Sequence, residues 1–132
     1  MSQSYGLKPG LSARVQYLVD EAATASQIGS GDVPVLATPA MIAVLEEAAV
    51  KALTDRLEEG KTTVGSRVEV RHLSPTAVGR EITAEAHLES VDGCRLTFRV
   101  EAFDPAGRIG EGVHERVIVD RQKFLSAAAS RE

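Results

Sequence analysis

Apolar residues recur at helical spacing between residues 38 and 60, and this period predicts one long helix. The apolar stripe comprises Met41, Ile42, Val44, Leu45, Ala48, Ala49, Ala52 and Leu53. Thr38 is a good N-cap and Pro39 suits the first helical position, so the helix is expected to begin there. Gly60 follows two glutamates and is expected to mark the end of the helix.

Beyond Gly60 the apolar period changes to the alternation of strands, and four consecutive antiparallel strands are expected. The turn signals that separate them are Ser74-Pro75, Asp92-Gly93 and Asp104-Pro105-Ala106-Gly107. The positions predicted to share one face within a strand are Val64, Ser66, Val68, Val70 and His72, then Ile82, Ala84, Ala86 and Leu88, then Cys94, Leu96, Phe98, Val100 and Ala102. The last strand is expected over residues 108–121, with Gly110 and Gly112 weakening its start.

An additional strand is expected before the helix, over residues 11–20, and residues 21–37 between them are expected to form a glycine-rich loop. The order strand, long helix, four antiparallel strands indicates an α+β fold with a sheet of about five strands. One helix covers one face of such a sheet, and a second copy of the chain is the simplest cover for the other face. The whole chain, residues 1–132, is expected to form one domain, with residues 1–10 and 126–132 frayed.

Composition narrows the classes of function. The chain has 132 residues, 43% hydrophobic and 26% charged, which is typical of a globular domain with a real core. A net charge of -4 and the absence of any basic run argue against partners such as nucleic acid or an anionic membrane. The single cysteine, Cys94, excludes an intrachain disulfide and is expected in the core. Neither a membrane span nor a signal peptide is recognisable, so a cytoplasmic location is expected.

Three polar residues fall in apolar settings and are the first candidates for chemistry. Thr38 begins the predicted helix, Glu46 lies at the edge of the apolar stripe, and His72 is in phase with the apolar side of its strand. Such groups are costly near a core unless something pairs with them or uses them. Each also has a structural interpretation. Thr38 serves as an N-cap, Glu46 pairs with Lys51 or with an arginine of the sheet, and His72 is satisfied at a strand end.

The other histidines are weaker candidates. His87 lies opposite the apolar positions of its strand and is expected to face solvent. His114 is in phase with Gly110, Gly112 and Arg116, and ordinary sheet packing is expected for it, with contact to a ligand or a second subunit as the alternative. Zinc-ligand spacing, a Gly-x-Ser-x-Gly elbow and a phosphate-binding glycine loop are all absent from the sequence, so no metal site is expected.

Several local motifs occur together in the region from about Val33 to Phe124. They are Ala37-Thr38-Pro39-Ala40-Met41 leading to Glu46, Val64-Gly65 leading to Val70-Arg71-His72, Ser90-Val91-Asp92-Gly93-Cys94-Arg95-Leu96, and Gly112-Val113-His114-Glu115-Arg116. In combination they resemble the fluoroacetyl-CoA thioesterase-like group of hot-dog thioesterases. The resemblance implies a hot-dog fold, in which a curved antiparallel sheet wraps one long central helix.

The resemblance also implies a catalytic set and a reaction. Thr38, Glu46 and His72 correspond to the catalytic residues of that group. A small acyl-CoA thioester would be hydrolysed to the free acid and CoA, with Glu46 as general base or as nucleophile and the other two assisting. No separate cofactor is expected, because CoA is part of the substrate.

Substrate-binding residues are implied at two places. Gly65 corresponds to a glycine of that group's site, although a bulge is its structural alternative. Val35 and Leu36, just before the helix, are expected to contact the acyl group. The fluoroacetate-specific enzyme has aromatic residues in this segment as a lid, and residues 30–36 contain none here. A general small acyl thioester is therefore expected rather than a fluorinated one.

A homodimer is expected, with a tetramer as the alternative. Two other functions stay open from the sequence. One is a non-catalytic acyl-CoA-binding protein. The other is a hot-dog enoyl-CoA hydratase, which is disfavoured because the Asp-x-Asn-x-x-His pattern of those enzymes does not occur in this chain.

Overall fold

The computed structural model describes residues 6–131 and confirms the predicted order of strand, long helix and four further strands. The elements are β1 (Ser12–Leu18), a 3-10 helix (Glu21–Ala23), α1 (Ala25–Ile28), α2 (Thr38–Ala52), β2 (Lys61–His72), β3 (Glu81–Asp92), β4 (Arg95–Asp104), β5 (Gly107–Asp120) and α3 (Arg121–Ala129). The five strands form one antiparallel sheet in the order β1-β3-β4-β5-β2. Within residues 6–131, no helix has the length and hydropathy that crossing a membrane requires.

The core lies between α2 and the inner face of the sheet. The buried side chains of α2 are Met41, Val44, Leu45, Ala48, Ala49 and Ala52, and those of β3 and β4 are Ile82, Ala84, Ala86, Leu88, Leu96, Phe98, Val100 and Ala102. The alanines on both sides allow the helix axis to approach the sheet closely. The predicted apolar stripe and the alternation of these two strands are therefore confirmed.

Both predicted ends of the long helix need correction. Ala37 occupies the N-cap position and makes no side-chain capping bond, so Thr38 is the first residue of the helix rather than its cap. The helix ends at Ala52, well before Gly60. The cause is visible in the chain that follows, because Leu53 turns back into the core and Asp55 adopts a left-handed φ of 62°.

The segment between β1 and α2 is more structured than a loop. Asp20 caps the 3-10 helix, and Thr24 caps α1, whose end is set by Gly29 at a φ of 92°. Isolated bridges then pair Leu36 with Thr24 and Val35 with Ala77. Helices of three or four residues give no detectable period in a sequence, which explains why the prediction missed them.

The β3–β4 turn and the C-terminus also differ from expectation. The two-residue turn is Gly93-Cys94, one position later than predicted, so Cys94 is exposed and not in the core. The expected fraying from residue 126 is wrong up to residue 129, because α3 is capped by the Asp120 carboxylate and continues to Ala129. Residues 1–5 and 132 of the predicted frayed ends lie outside the described residues.

A β-bulge changes the phase of β2 halfway along the strand. Register with β5 shifts between Gly65 and Arg67, so Ser66 is the extra residue. Before the bulge, Gly65 faces Arg116 on the helix side of the sheet and Val64 faces outward. The predicted shared face therefore holds only from Val68 to His72, and Gly65 joins that face in place of Val64 and Ser66.

Gly110 and Gly112 do not weaken β5, which runs unbroken from Gly107. A Cβ at Gly110 would lie 2.6 Å from the Met41 sulfur, and a Cβ at Gly112 would collide with the Glu69 carbonyl oxygen. These glycines allow α2 and β2 to approach β5, so the contact they permit is the reason for their presence in the strand.

Candidate active site

Thr38 and His72 are brought together where two elements end. Thr38 is the first residue of α2, and His72 is the last residue of β2. Because the Thr38 hydroxyl does not cap its own helix, it is free to pair with the imidazole. Its Oγ1 lies 2.7 Å from His72 Nδ1, a short hydrogen bond in which either atom donates, depending on the tautomer of the ring.

The other ring nitrogen of His72 has no partner among the described residues. Nε2 is buried and makes no hydrogen bond there. Burial lowers the pKa of His72, an effect opposed by the backbone of Ser74, so the ring is neutral at pH 7. A buried, unpaired nitrogen costs about 1–3 kcal/mol, so its presence marks a place where a ligand can supply the missing bond.

His72 also lines a cavity of about 330 Å³. The cavity is lined by Ala25, Ser30, Gly31, Val33, Val35, Leu36, Thr38, His72, Leu73, Ser74 and Pro75. Val35 and Leu36, expected to contact a substrate, both belong to this wall. Among the described residues, no Phe, Tyr or Trp side chain lines the cavity. The cavity is therefore an apolar chamber with the threonine–histidine pair as its polar corner.

Glu46 lies elsewhere on the same helix. It follows Thr38 by eight residues, which is about 12 Å of axial rise. Its Oε2 atom is 3.5 Å from Arg116 Nη1 and 3.7 Å from His114 Nε2. The Glu46 side chain remains 38% exposed. Of its two predicted structural partners, a sheet arginine is present, whereas Lys51 donates to the Arg14 carbonyl oxygen instead.

Gly65 lies directly against the Glu46 carboxylate. A Cβ at this position would be 2.7 Å from Glu46 Oε2 and 3.3 Å from the His114 ring. The bulge after Gly65 turns this glycine towards the helix. The bulge that was the structural alternative for Gly65 is therefore present, and the substrate-binding role of this glycine stays a prediction.

His114 and Arg116 complete this second cluster and were underestimated from the sequence. Both side chains are buried on the inner face of β5. Burial lowers the pKa of each, and the nearby Glu46 carboxylate opposes the shift in both cases. The signal was present in the sequence, because a histidine and an arginine recur in phase with the inner face, but sheet packing was the expected explanation.

Two half-sites can now be defined. The threonine–histidine half-site consists of Thr38 and His72, and the glutamate half-site consists of Glu46, Gly65, His114 and Arg116. The three predicted catalytic residues are thus divided between them within one chain. The first offers a neutral imidazole beside a hydroxyl and a helix N-terminus, and the second offers a carboxylate beside a fixed cation.

A third cluster lies on the outer face of the sheet. Ligand atoms of Glu85, His87 and Glu101 lie within 4.8 Å of one another. Each carboxylate already faces a guanidinium, since Arg14 is 3.2 Å from Glu85 and Arg99 is 2.8 Å from Glu101. These arginines compete with any cation for the same oxygens. His87 is on the face opposite the buried residues of β3, as predicted.

Comparisons with known proteins agree with the family that the sequence motifs resemble. Residues 19–122 match the family described as fluoroacetyl-CoA-specific thioesterase. The fluoroacetyl-CoA thioesterase of Streptantibioticus cattleyicolor is 40% identical over 90 residues, which are 68% of this chain. The matched stretch spans 65% of that relative's own length.

Solved structures give the same result over more of the chain. The fluoroacetyl-CoA thioesterase FlK superposes with a TM-score of 0.91 at 30% identity, covering 97% of this chain and 99% of that one. A thioesterase superfamily member from Thermus thermophilus superposes with a TM-score of 0.85 at 34% identity, covering 92% and 90% of the two chains. The predicted resemblance and the predicted hot-dog fold are confirmed by these matches.

Proposed function

This chain belongs to the fluoroacetyl-CoA-specific thioesterase family, and on that premise we propose that it hydrolyses a small acyl-CoA thioester to the free acid and CoA. The observation that carries the proposal is the unpaired, buried Nε2 of His72 at the polar corner of an apolar cavity. Structures of FlK mutants in complex with fluoroacetate and CoA, and with acetyl-CoA, support this class of substrate.

The threonine–histidine half-site suits the carbonyl and the leaving group. Thioester hydrolysis develops negative charge on the carbonyl oxygen, and the positive end of the α2 dipole beside Thr38 stabilises it. If Thr38 donates to Nδ1, the neutral His72 ring carries its proton on Nε2. From there it can donate a hydrogen bond that stabilises the departing CoA thiolate, whose proton comes from the attacking water by way of Glu46. The aliphatic residues of the cavity wall offer contacts to the acyl group.

The glutamate half-site supplies the base or nucleophile. The Glu46 carboxylate can activate a water molecule, or it can attack the carbonyl carbon directly and form an anhydride that water then opens. In both routes the carboxylate must approach the carbonyl that the other half-site holds. About 12 Å of helix separates Glu46 from Thr38, so one chain does not bring the two half-sites to the same carbonyl.

We therefore propose a homodimer in which the threonine–histidine half-site of one copy meets the glutamate half-site of the other. β2 supports this arrangement because it is an edge strand, paired with β5 on one side only. Its open edge carries unpaired backbone groups, and Val68 is exposed on it. A two-fold axis beside this edge would create two equivalent sites, and a further pairing of dimers into a tetramer is not needed for them.

The acyl group is proposed to be short and aliphatic. The cavity is small, about 330 Å³, and its apolar wall consists of aliphatic residues, among them Val33, Val35 and Leu36. Without an aromatic ring in this wall, a fluorine substituent meets no special contact. We expect acetyl, propionyl and haloacetyl thioesters all to be accepted, and haloacetyl thioesters to react faster only by as much as the halogen activates the carbonyl.

A cytoplasmic location is part of the proposal. Cys94 is the one cysteine of the chain, and it is a free, exposed thiol. Such a thiol persists in a reducing compartment.

The test of the activity is thiol release from a panel of acyl-CoAs, with wild type, Glu46→Gln and Glu47→Gln side by side. Glu47 is the matched control, because it neighbours Glu46 on α2 but is exposed. Turnover that is lost in Glu46→Gln and kept in Glu47→Gln supports the proposal. Tight CoA binding without turnover would instead indicate a binding protein, and turnover of an enoyl-CoA alone would indicate a hydratase.

The test of the shared site is complementation between two inactive variants. Glu46→Gln and His72→Ala each remove one half-site, so each homodimer should be inactive. After subunit exchange at equal amounts, half of the dimers are mixed and each contains one intact site, so about one quarter of wild-type activity should return. Mixed dimers that form, as seen by native mass spectrometry, but stay inactive would contradict the proposal.

A further inference from the structure

The inner face of β5 contains an unusual pair of buried polar side chains behind Glu46. His114 is 1% exposed, and Arg116 is 7% exposed. Their partners on β4 are the apolar Phe98 and Leu96, and the His114 ring stacks on Phe98 with centroids 6.3 Å apart. Two such groups in a core are costly unless they are mutually satisfied, so their hydrogen bonds define what they do.

The hydrogen bonds of His114 fix its tautomer. Its Nδ1 lies 2.9 Å from the carbonyl oxygen of Arg67, which can only accept, so Nδ1 carries the hydrogen. Burial keeps the ring neutral by lowering its pKa. Nε2 therefore offers a lone pair, and it lies 3.2 Å from Arg116 Nη1, which can only donate.

Arg116 is held from two further directions by one residue of β2. Its Nε donates to the Thr63 hydroxyl at 2.9 Å, and its Nη2 donates to the Thr63 carbonyl oxygen at 3.1 Å. Because His114 Nε2 accepts from Nη1, each of the three guanidinium nitrogens has a fixed hydrogen-bond acceptor. Because the guanidinium is rigid and planar, these anchors determine how closely it can approach Glu46.

The resulting contact with Glu46 is loose. Arg116 Nη1 is 3.5 Å from Glu46 Oε2, longer than a charge-assisted hydrogen bond. An unanchored guanidinium would turn and form a close bidentate pair. Such a pair would occupy both carboxylate oxygens, and Glu46 could then neither activate water nor attack a carbonyl.

We infer that His114 is a positioning residue, which holds Arg116 at a distance where it orients Glu46 without capturing it. The inference rests on the proposed function of Glu46. His114 acts through its Nε2 lone pair on Arg116 and touches neither substrate nor reacting atom. It therefore affects the chemical step more than the binding of substrate.

The test compares two substitutions that each keep one hydrogen bond of His114. In His114→Asn the amide nitrogen keeps donating to the Arg67 carbonyl, and the acceptor facing Arg116 is lost. In His114→Gln the side-chain oxygen reaches the Nε2 position and keeps accepting from Arg116. We expect His114→Asn to lower kcat on the order of 10- to 100-fold with KM little changed, and His114→Gln to restore most of kcat.

Val15→Ala is the control for lost packing, because Val15 packs against the core from β1, three strands away from β5. It should lower the thermal midpoint and leave kcat unchanged. Equal kcat in His114→Asn and wild type would overturn the inference, and so would equal losses in the Asn and Gln variants. If His114→Asn does not fold, Thr63→Val is the second test, because it removes the hydroxyl that accepts from Arg116 Nε. We expect it to lower kcat several-fold, and an unchanged kcat would overturn the inference.

The inference and the proposed function fail in different ways. If Glu46→Gln retains full turnover, the proposed role of Glu46 is wrong whatever the His114 variants do. If Glu46 is essential and His114→Asn is fully active, only the positioning role is wrong.

Discussion

The two half-sites are built by different means. The threonine–histidine half-site lies where α2 begins and β2 ends, and a single hydrogen bond of 2.7 Å joins its members. The glutamate half-site lies in the middle of α2, against the inner face of β2 and β5. The first depends on element ends, whereas the second depends on the register of two strands and on the bulge at Gly65 to Arg67.

This difference indicates that the two half-sites have different roles. The threonine–histidine half-site faces an apolar cavity, and its His72 Nε2 has no hydrogen-bond partner among the described residues. The glutamate half-site already has its partners, and they restrain a carboxylate that is still 38% exposed. We expect the first to be sensitive to the chemistry of its own two side chains and the second to small changes in the backbone beside it.

Removing the carboxylate should give the largest effect on activity. Glu46→Gln keeps the shape of the side chain and abolishes its capacity as base or nucleophile. We expect kcat to fall about 10²- to 10⁴-fold, measured by thiol release under saturating substrate. The thermal midpoint should also fall, because the buried Arg116 guanidinium loses the carboxylate that faces it. An active Glu46→Gln enzyme would leave the glutamate half-site without a catalytic role.

Removing the Thr38 hydroxyl should lower kcat less than removing the Glu46 carboxylate. Thr38→Val keeps the volume of the side chain and removes the hydroxyl that orients His72, whereas Thr38→Ser keeps the hydroxyl. We expect Thr38→Val to lower kcat about 10- to 100-fold and Thr38→Ser to stay near wild type. In the double variant with His72→Ala the loss should be smaller than the product of the single losses, because the two residues act as a unit. Fully multiplicative losses would show that they act independently.

Two glycine substitutions separate positioning from stability. Gly65→Ala places a methyl group 2.7 Å from Glu46 Oε2, and the flexible end of that side chain can move away. We expect kcat to fall about 10-fold with nearly unchanged stability. Gly112→Ala instead meets the backbone of β2, which cannot move away, so the free energy of unfolding should fall by about 1–3 kcal/mol. Chemical denaturation measures the free energy of unfolding of both variants, and steady-state kinetics measure their kcat. A large loss of stability in Gly65→Ala would contradict the expected contrast.

The sequence predicted the threonine–histidine half-site better than the glutamate half-site. The inward phase of His72 follows from simple alternation counted back from the turn at Ser74-Pro75, and the start of α2 near Thr38 follows from Pro39. Both signals are local. The exact role of Thr38 did not follow, because a threonine before a proline is equally typical of an N-cap.

The glutamate half-site depends on long-range pairing that a single sequence does not specify. Alternation places Val64 and Ser66 on the inner face, but the bulge reverses the phase and turns Gly65 inward instead. His114 reaches Glu46 only because β5 pairs with β2 and α2 crosses both strands. Composition and periodicity contain no information on these contacts. The resemblance to a family supplied Glu46 and Gly65, and the places of His114 and Arg116 beside them were not predicted.

The smallest expected effect is a pH dependence of stability that originates mainly in the glutamate half-site. Burial lowers the pKa of His114 below its ordinary 6.5, although the Glu46 carboxylate on α2 opposes the shift and Arg116 on β5 adds to it. The unfolded chain then binds more protons than the folded one below about pH 6.5, so the free energy of unfolding should fall as the pH falls through this range and be constant above it. His72 contributes in the same direction. Urea titrations between pH 5 and 8 should show the dependence weakened in His114→Gln. An unchanged slope in this variant would mean that His114 is not buried in its neutral form.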